Sequence, residues 1–380
     1  MQRLLGLIAV SLFLIVSANA QAGRKIKPNP TPVPVGTPVI TYSESKPNPS
    51  RRTIFTKRTS SKSATTLPQT DGVRIATGAD EEIEKVETEL ITIPVSVFDR
   101  SGLYIPNLAK ENFRIFEDGV EQEIAYFGTD DKPFTVVLLL DTSLSTEYKI
   151  SEIQEAARAF VENLQPRDSV MVIEFDGNVH VLTETTNDRE KIFKAIGKAD
   201  FGYGTALYES VEFSLQKRLS KVSGRKAIVL FTDGVDTRST RATYDSTLDL
   251  AEESDSLVFP IYYNTISNQR RNSGIFRDPI GSTEEEYELG RKYLEELSMY
   301  TGGRLFRPEA TPGGLTRAFE GIAEELRRQY NIGYVPKDSG KQGQRKQIRV
   351  RVDRPNLVLR ARDSYIVGAS AVQPVVAPKN

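Results

Sequence analysis

The chain has no cysteine, no tryptophan and a single histidine, His180. Without cysteine it cannot form disulfides, thiolate zinc sites or a cysteine nucleophile. One histidine excludes a clustered histidine metal site and leaves Ser-His catalysis only His180 to draw on. Net charge is nearly absent too: 50 Lys+Arg face 51 Asp+Glu, a formal charge of -1. That balance gives no reason to expect nucleic acid as a partner. No glycine-rich loop ends in Gly-Lys-Ser/Thr, so a phosphate-binding P-loop is missing. "GYGTAL" lacks the third glycine of a dinucleotide fingerprint.

Long apolar runs are equally scarce. One, "LLGLIAVSLFLIVS", follows Arg3 and precedes the small-residue pattern "ANA" at residues 18–20. A short cationic start, an apolar core and a small-residue cleavage pattern read as an export signal over residues 1–20. The core falls short of the about 20 apolar residues of a membrane span; the other reading is an uncleaved anchor. No later run is long and apolar enough to cross a membrane. The expected mature protein is secreted or periplasmic, with no transmembrane segment after signal cleavage.

What is present divides the chain. Its 380 residues suit about two domains plus unstructured chain. Residues 21–85 read as a disordered, proline-rich and basic linker. "KPNPTPVPVGTPV" favours extended conformations, and "SRRTIFTKRTSSKSATT" has too few large apolar residues to offset its ordering entropy. Its charge suits either contact with anionic envelope polymers or simple solvation. In 86–130, "LITIPVSVFD" alternates at the period of a strand, and Asp118-Gly119 marks a hairpin. In 131–330 the pattern changes. "PFTVVLLL" is a continuous apolar run, as expected of a strand covered on both faces. Helical periodicities such as "KISEIQEAARAFVENL" and "LTRAFEGIAEELRRQY" alternate with strands such as "DSVMVIEF", "RKAIVLF" and "LVFPIYY". "TALYESVEFSLQKRL" reads as one helix and "GRLFRP" as a short edge strand. In 331–368 the strand pattern returns with "YNIGYVP" and "KQIRVRVDR", and 369–380 reads as a loose tail. The predicted fold class is therefore α/β: a doubly wound, mostly parallel sheet inserted in a small β-sandwich formed by the flanking segments. The alternative is two unrelated hairpins packed on the main domain.

The stretch "VVLLLDTSLSTEY" ends a buried strand in Asp141, Ser143 and Ser145. Alternation in an extended loop sends the three the same way, and open α/β sheets bind ligands beyond their carboxyl strand ends. "GYGTAL" adds Thr205, and "VLFTDGVD" adds Asp233 at the end of a second buried strand. Each has a plain structural reading, Thr205 as a helix cap and Asp233-Gly234 as a turn. Together they offer two carboxylates and three hydroxyls, hard donors that suit Mg²⁺ or Mn²⁺. Asp141 is expected in an exposed loop, so that its loss should cost the fold little. Asp176-Gly177 reads as a hairpin turn, His180 as a surface or edge residue, and Asp236 as a cap.

In this order and on these elements, Asp141-Thr142-Ser143-Leu144-Ser145, Thr205 and Thr232-Asp233-Gly234 resemble the metal-ion-dependent adhesion site of the von Willebrand factor type A (VWA) family. The resemblance covers about residues 133–330. The flanking pieces resemble a subfamily of exported bacterial VWA-related proteins of acidobacterial type. It implies that Ser143, Ser145 and Thr205 ligate the metal directly, and that Asp141 and Asp233 act largely through waters. The implied function is metal-dependent protein binding or adhesion, without catalysis, in which a partner's Asp or Glu carboxylate completes the metal shell. Two departures are visible. Tyr203 stands where a second glycine is common, and only Glu147 is acidic after Ser145. Competing readings are an exported metal-dependent hydrolase and a structural envelope scaffold with a non-functional metal site. A haloacid-dehalogenase-like phosphotransferase would need a second aspartate where Ser143 stands.

Overall fold

A computed structural model describes residues 41–47, 89–129, 132–143, 150–263, 283–309, 311, 313–368 and 372–374. The predicted signal segment 1–20 and Ser145 lie outside the described residues, as does most of the linker.

The central layer is a five-stranded sheet. Its strands are β6 (Phe134–Asp141), β7 (Ser169–Phe175), β8 (Val179–Thr186), β9 (Arg225–Thr232) and β10 (Leu257–Tyr262). They lie in the order β10-β9-β6-β7-β8, and only the β7–β8 pairing is antiparallel. β6 carries "FTVVLLLD" because both its faces are covered. Val136, Leu138 and Leu140 meet α1 (Ile150–Asn163) and α6 (Gly314–Arg327) through Ile153, Phe160, Phe319 and Ile322. Val137 and Leu139 meet α4 (Tyr244–Glu253) and α5 (Glu284–Thr301) through Leu248, Tyr293 and Leu294. Two further helices, α2 (Arg189–Ile196) and α3 (Leu207–Glu212), complete the cover. From β6 the chain first passes to β7 and later returns to β9 on the other side. The strand order therefore reverses between β6 and β9, where open sheets form ligand crevices.

Two antiparallel sheets form the flanking sandwich. One holds β1 (Ser43–Glu44), β12 (Arg345–Val352), β3 (Phe113–Glu117) and β4 (Val120–Gln122), with β14 (Ser364–Ile366) added to β12. The other holds β13 (Val358–Arg360), β2 (Glu89–Phe98), β11 (Tyr330–Tyr334) and β5 (Ile124–Gly128). Ile91, Ile93 and Val95 of β2, Ile115 of β3 and Ile348 and Val350 of β12 share one core. The last strand before the α/β layer, β5, is hydrogen-bonded to the first after it, β11. That pairing brings the two connections side by side, which is how a domain is inserted without disturbing its host.

Several local expectations are corrected. Within 21–85, Ser43–Glu44 pair with Val352 and Arg351, and Ser45 is buried with its hydroxyl accepting from Val350 N at 3.0 Å. Unpaired β12 edge groups supply partners that composition does not reveal. Within 369–380, Val372–Pro374 (β15) pair with β2. "GRLFRP" makes only a bridge, Ile261 to Phe306. The single helix predicted after Thr205 is α3, then a widened turn over Phe213–Arg218 and a tighter one over Leu219–Lys221. Ser210 and Ser214 donate back to Leu207 O and Ser210 O, competing with the regular ladder.

Candidate metal centre

The β6 strand end sits between two neighbours. Asp141 pairs in register with Phe175, and Thr142 N donates to Phe175 O at 2.9 Å. Asp141 is 0% exposed, so the expectation of an exposed loop is wrong. As the last residue of the central strand, it lies between β7 and β9. Its Oδ1 accepts from Ser143 N at 3.0 Å and its Oδ2 from Thr232 Oγ1 at 2.6 Å. Burial, and next the charge of Asp233, push the Asp141 carboxyl up to about 7, against the lowering effect of bonds from Ser143 and Thr232.

β9 delivers the second carboxylate. Thr232 Oγ1 accepts from Gly234 N at 3.0 Å, and Asp233 Oδ1 accepts from Val235 N at 3.1 Å. Gly234 has φ +84°, and a Cβ there would lie 2.8 Å from the Gly290 backbone of α5. A Cβ on Gly290 would lie 2.4 Å from Gly234 O. Two glycines thus let the Asp233 loop rest directly on a helix.

The third loop is built on glycine as well. Gly202 N donates to Thr142 O at 2.8 Å, and Ser143 bridges Gly202. A Cβ on Gly202 would overlap Asp176 Oδ2, so the β7–β8 turn and this loop fit only with glycine there. Gly177 N donates to Tyr203 O at 3.0 Å, and Ala206 N to Asp176 O at 2.6 Å. Thr205 N donates to Thr237 Oγ1 at 2.9 Å, while Thr205 O accepts from Thr237 N and Arg238 N. The Thr205 side chain is buried, and its hydroxyl has no hydrogen-bond partner among the described residues. It is not the cap of α3, which begins after Ala206.

Asp141, Ser143, Thr205 and Asp233 therefore stand on three loops joined by hydrogen bonds at one end of the sheet. All four are buried. Among the described residues no group of three or more histidines or carboxylates is placed to hold a metal, and the donors this site offers are two carboxylates and the hydroxyls of Ser143 and Thr205. Two adjoining buried carboxylates and a hydroxyl without a partner among the described residues fit a hard divalent cation, whose charge would offset the burial and the Asp233 repulsion that raise Asp141. His180 lies on the edge strand β8, exposed, with Nε2 3.4 Å from Asp176 Oδ1. Asp236 takes Tyr208 N at 3.2 Å and Ser239, which suits a cap. Asp176-Gly177 is the hairpin turn expected between β7 and β8. Its contact with the site, and those of Thr237 and Gly290, were not foreseen, because each reaches the site from another element at no fixed spacing. An isolated glycine in the helical pattern "EYELGRKYL" was the one available signal. A cavity of about 390 Å³ lined by Phe134, Arg225 and Leu257 lies at the opposite strand ends and plays no part here.

Residues 136–235, which hold all these groups, match the family model described as the von Willebrand factor type A domain. The chain carries a VWA domain. A UPF0353 protein of Mycobacterium avium is 31% identical over 120 residues, covering 28% of this chain and 36% of that protein. The chain thus spans little more than a third of the curated relative it matches. Similar solved structures include the von Willebrand factor type A protein from Catenulispora acidiphila. It is 12% identical, covers 74% of this chain and 75% of that one, and has a TM-score of 0.43. Another is proximal thread matrix protein 1 from the mussel byssus, solved with a zinc-occupied MIDAS motif. It is 13% identical, covers 56% of this chain and 50% of that one, and has a TM-score of 0.41. The architecture of this VWA domain rests on its own strand order and not on those likenesses.

Proposed function

We propose that the VWA domain of this chain is a binding module that holds Mg²⁺ or Mn²⁺ and grips a protein partner through that partner's Asp or Glu. The observation that carries the reading is the convergence of Asp141, Ser143, Thr205 and Asp233 at the switch point between β6 and β9. Ser143 and Thr205 would hold the ion with neutral hydroxyls, joined by Ser145 from outside the described residues. Asp141 and Asp233 would supply the negative charge behind them. Neutral ligands leave a divalent ion short of charge, so it keeps an appetite for an outside carboxylate. Thr232 and the Ser143 amide orient Asp141, and the Gly234–Gly290 contact sets the height of Asp233.

The signal-like N-terminus supports export, and among the described residues no helix is long and apolar enough to cross a membrane. The subfamily likeness of the flanking pieces supports a place at the bacterial envelope. The test is calorimetric titration of Mg²⁺ and Mn²⁺ into wild type and Thr205→Ala, followed by capture from envelope extract with and without chelator. Loss of metal binding in the variant, and chelator-sensitive capture by wild type, are expected. Equal metal binding by both proteins would refute the site.

A further inference from the structure

The rim of the metal site holds an arginine and two aromatics that neither fold nor metal requires. Arg238 lies along the third loop. A Cβ on Gly204 would come within 2.6 Å of Arg238 Cγ and 2.9 Å of its Nε, so the stem lies flat on a residue that has no side chain. The Arg238 amide donates to Thr205 O at 3.0 Å, which fixes the base of the side chain beside a proposed metal ligand. Among the described residues the Arg238 guanidinium has no carboxylate or hydrogen-bond partner. Its neighbour Arg241, by contrast, faces Glu209 at 3.7 Å. On the same loop Tyr203 is 76% exposed and Phe201 44% exposed. A guanidinium with no partner among the described residues, on a residue hydrogen-bonded through its backbone to Thr205, and two uncovered aromatic rings two and four residues before Thr205 are groups awaiting a counterpart.

Resting on the metal-dependent reading above, we infer that the partner segment is diacidic and carries an apolar or aromatic residue. One carboxylate goes to the metal, the second to the Arg238 guanidinium, and the apolar side chain packs on Tyr203 and Phe201. Guanidinium is planar and always charged, and it takes a carboxylate with two parallel N–H bonds, so it selects a second acid where a bare metal site selects only one. The Arg238 backbone is hydrogen-bonded to Thr205, and an extended peptide advances about 3.3 Å per residue, so the second acid is expected within about three residues of the first. The metal alone would leave the flanking sequence of the partner undetermined; Arg238 and Tyr203 determine it.

The test is a displayed random-peptide library panned on the full chain in Mg²⁺ and eluted with chelator. Wild type should yield peptides with two acidic residues within about three positions and a nearby apolar residue. Arg238→Glu should exchange the second acid for Lys or Arg, and Tyr203→Ser should lose the apolar preference. Both side chains are at the surface, so Mg²⁺ affinity and the urea midpoint should match wild type. A synthetic diacid peptide should bind wild type about tenfold more tightly than its monoacid counterpart, and Arg238→Ala equally to both. The same second-residue preference in wild type and Arg238→Glu overturns the assignment while leaving the metal reading intact. Peptides that resist chelator, or that bind Thr205→Ala equally, overturn the metal reading itself. Elution of no peptide at all counts against both.

Discussion

Asp141 occupies the end of the central strand, and its burial decides its chemistry. A carboxyl whose native pKa rises from 3.8 to about 7 holds its proton more tightly folded than unfolded. The sign follows: without metal, stability falls as pH rises from about 4 to about 7 and is flat above, by roughly 4 kcal/mol at most. On the proposed metal reading Mg²⁺ has to displace that proton, so its apparent affinity should fall about tenfold for each pH unit below about 7. Asp141→Asn should remove both dependences and abolish metal binding. Urea midpoints and Mg²⁺ titrations between pH 5 and 8 check this; a flat wild-type profile would contradict two ionisable groups sharing a buried site. Asp141, Ser143, Thr205 and Asp233 were legible in the sequence because each follows a recognisable apolar strand or a glycine loop. The hydrogen bond from Thr232 was not, since 91 residues separate its partners.

At the level of elements, the site depends on how closely loops can approach helices. Gly290 sits in mid-helix, where glycine ordinarily costs stability, and its reward is contact with Gly234. Gly290→Ala should push the Asp233 loop away, costing about 1–3 kcal/mol and weakening Mg²⁺ at least tenfold, with the helical signal intact. Leu289→Ala, next to it but exposed, should change neither; equal effects from the two would show that helix content and not contact is at stake. Strand and helix types were readable from periodicity. The bridge at Phe306, the widened turn after α3 and strands β1 and β15 were not, because each forms only on a tertiary partner.

For the whole molecule, the sandwich and the VWA domain are tied by charges that leave water together. Glu252 of α4 has a 1% exposed side chain and takes Arg345 Nε at 2.8 Å and Nη2 at 2.6 Å. Ser364 donates to the same carboxylate, and Arg362 to the nearby Glu252 and Ser254 carbonyls. Glu325 of α6 similarly lies 2.8 Å from Arg304 Nε and 3.6 Å from Arg360 of β13. Removing one partner strands a buried charge. Arg345→Ala should therefore cost about 2 kcal/mol, less than a fully buried pair, because Arg345 is partly exposed and Ser364 remains. Thermal unfolding checks it, with the exposed Arg291–Glu288 pair as the contrast: Arg291→Ala should produce no measurable shift. An Arg345 effect no larger than that of Arg291 would mean that the modules do not lean on this contact.

Local pattern by itself determined that a continuous apolar strand would be covered on both faces. It also placed carboxylates and hydroxyls at strand ends, and it left strand-like pieces on either side of the α/β run too small to stand alone, whether paired with each other or packed on the main domain. Those properties follow from periodicity and from residue chemistry, which act over a few neighbours. Only the tertiary structure decided that Asp141 is buried beside Asp233, that Gly290 receives Gly234, and that Arg238 lies along Gly204. These depend on which distant segments come to lie within a few ångströms, and no local spacing in a chain records that distance.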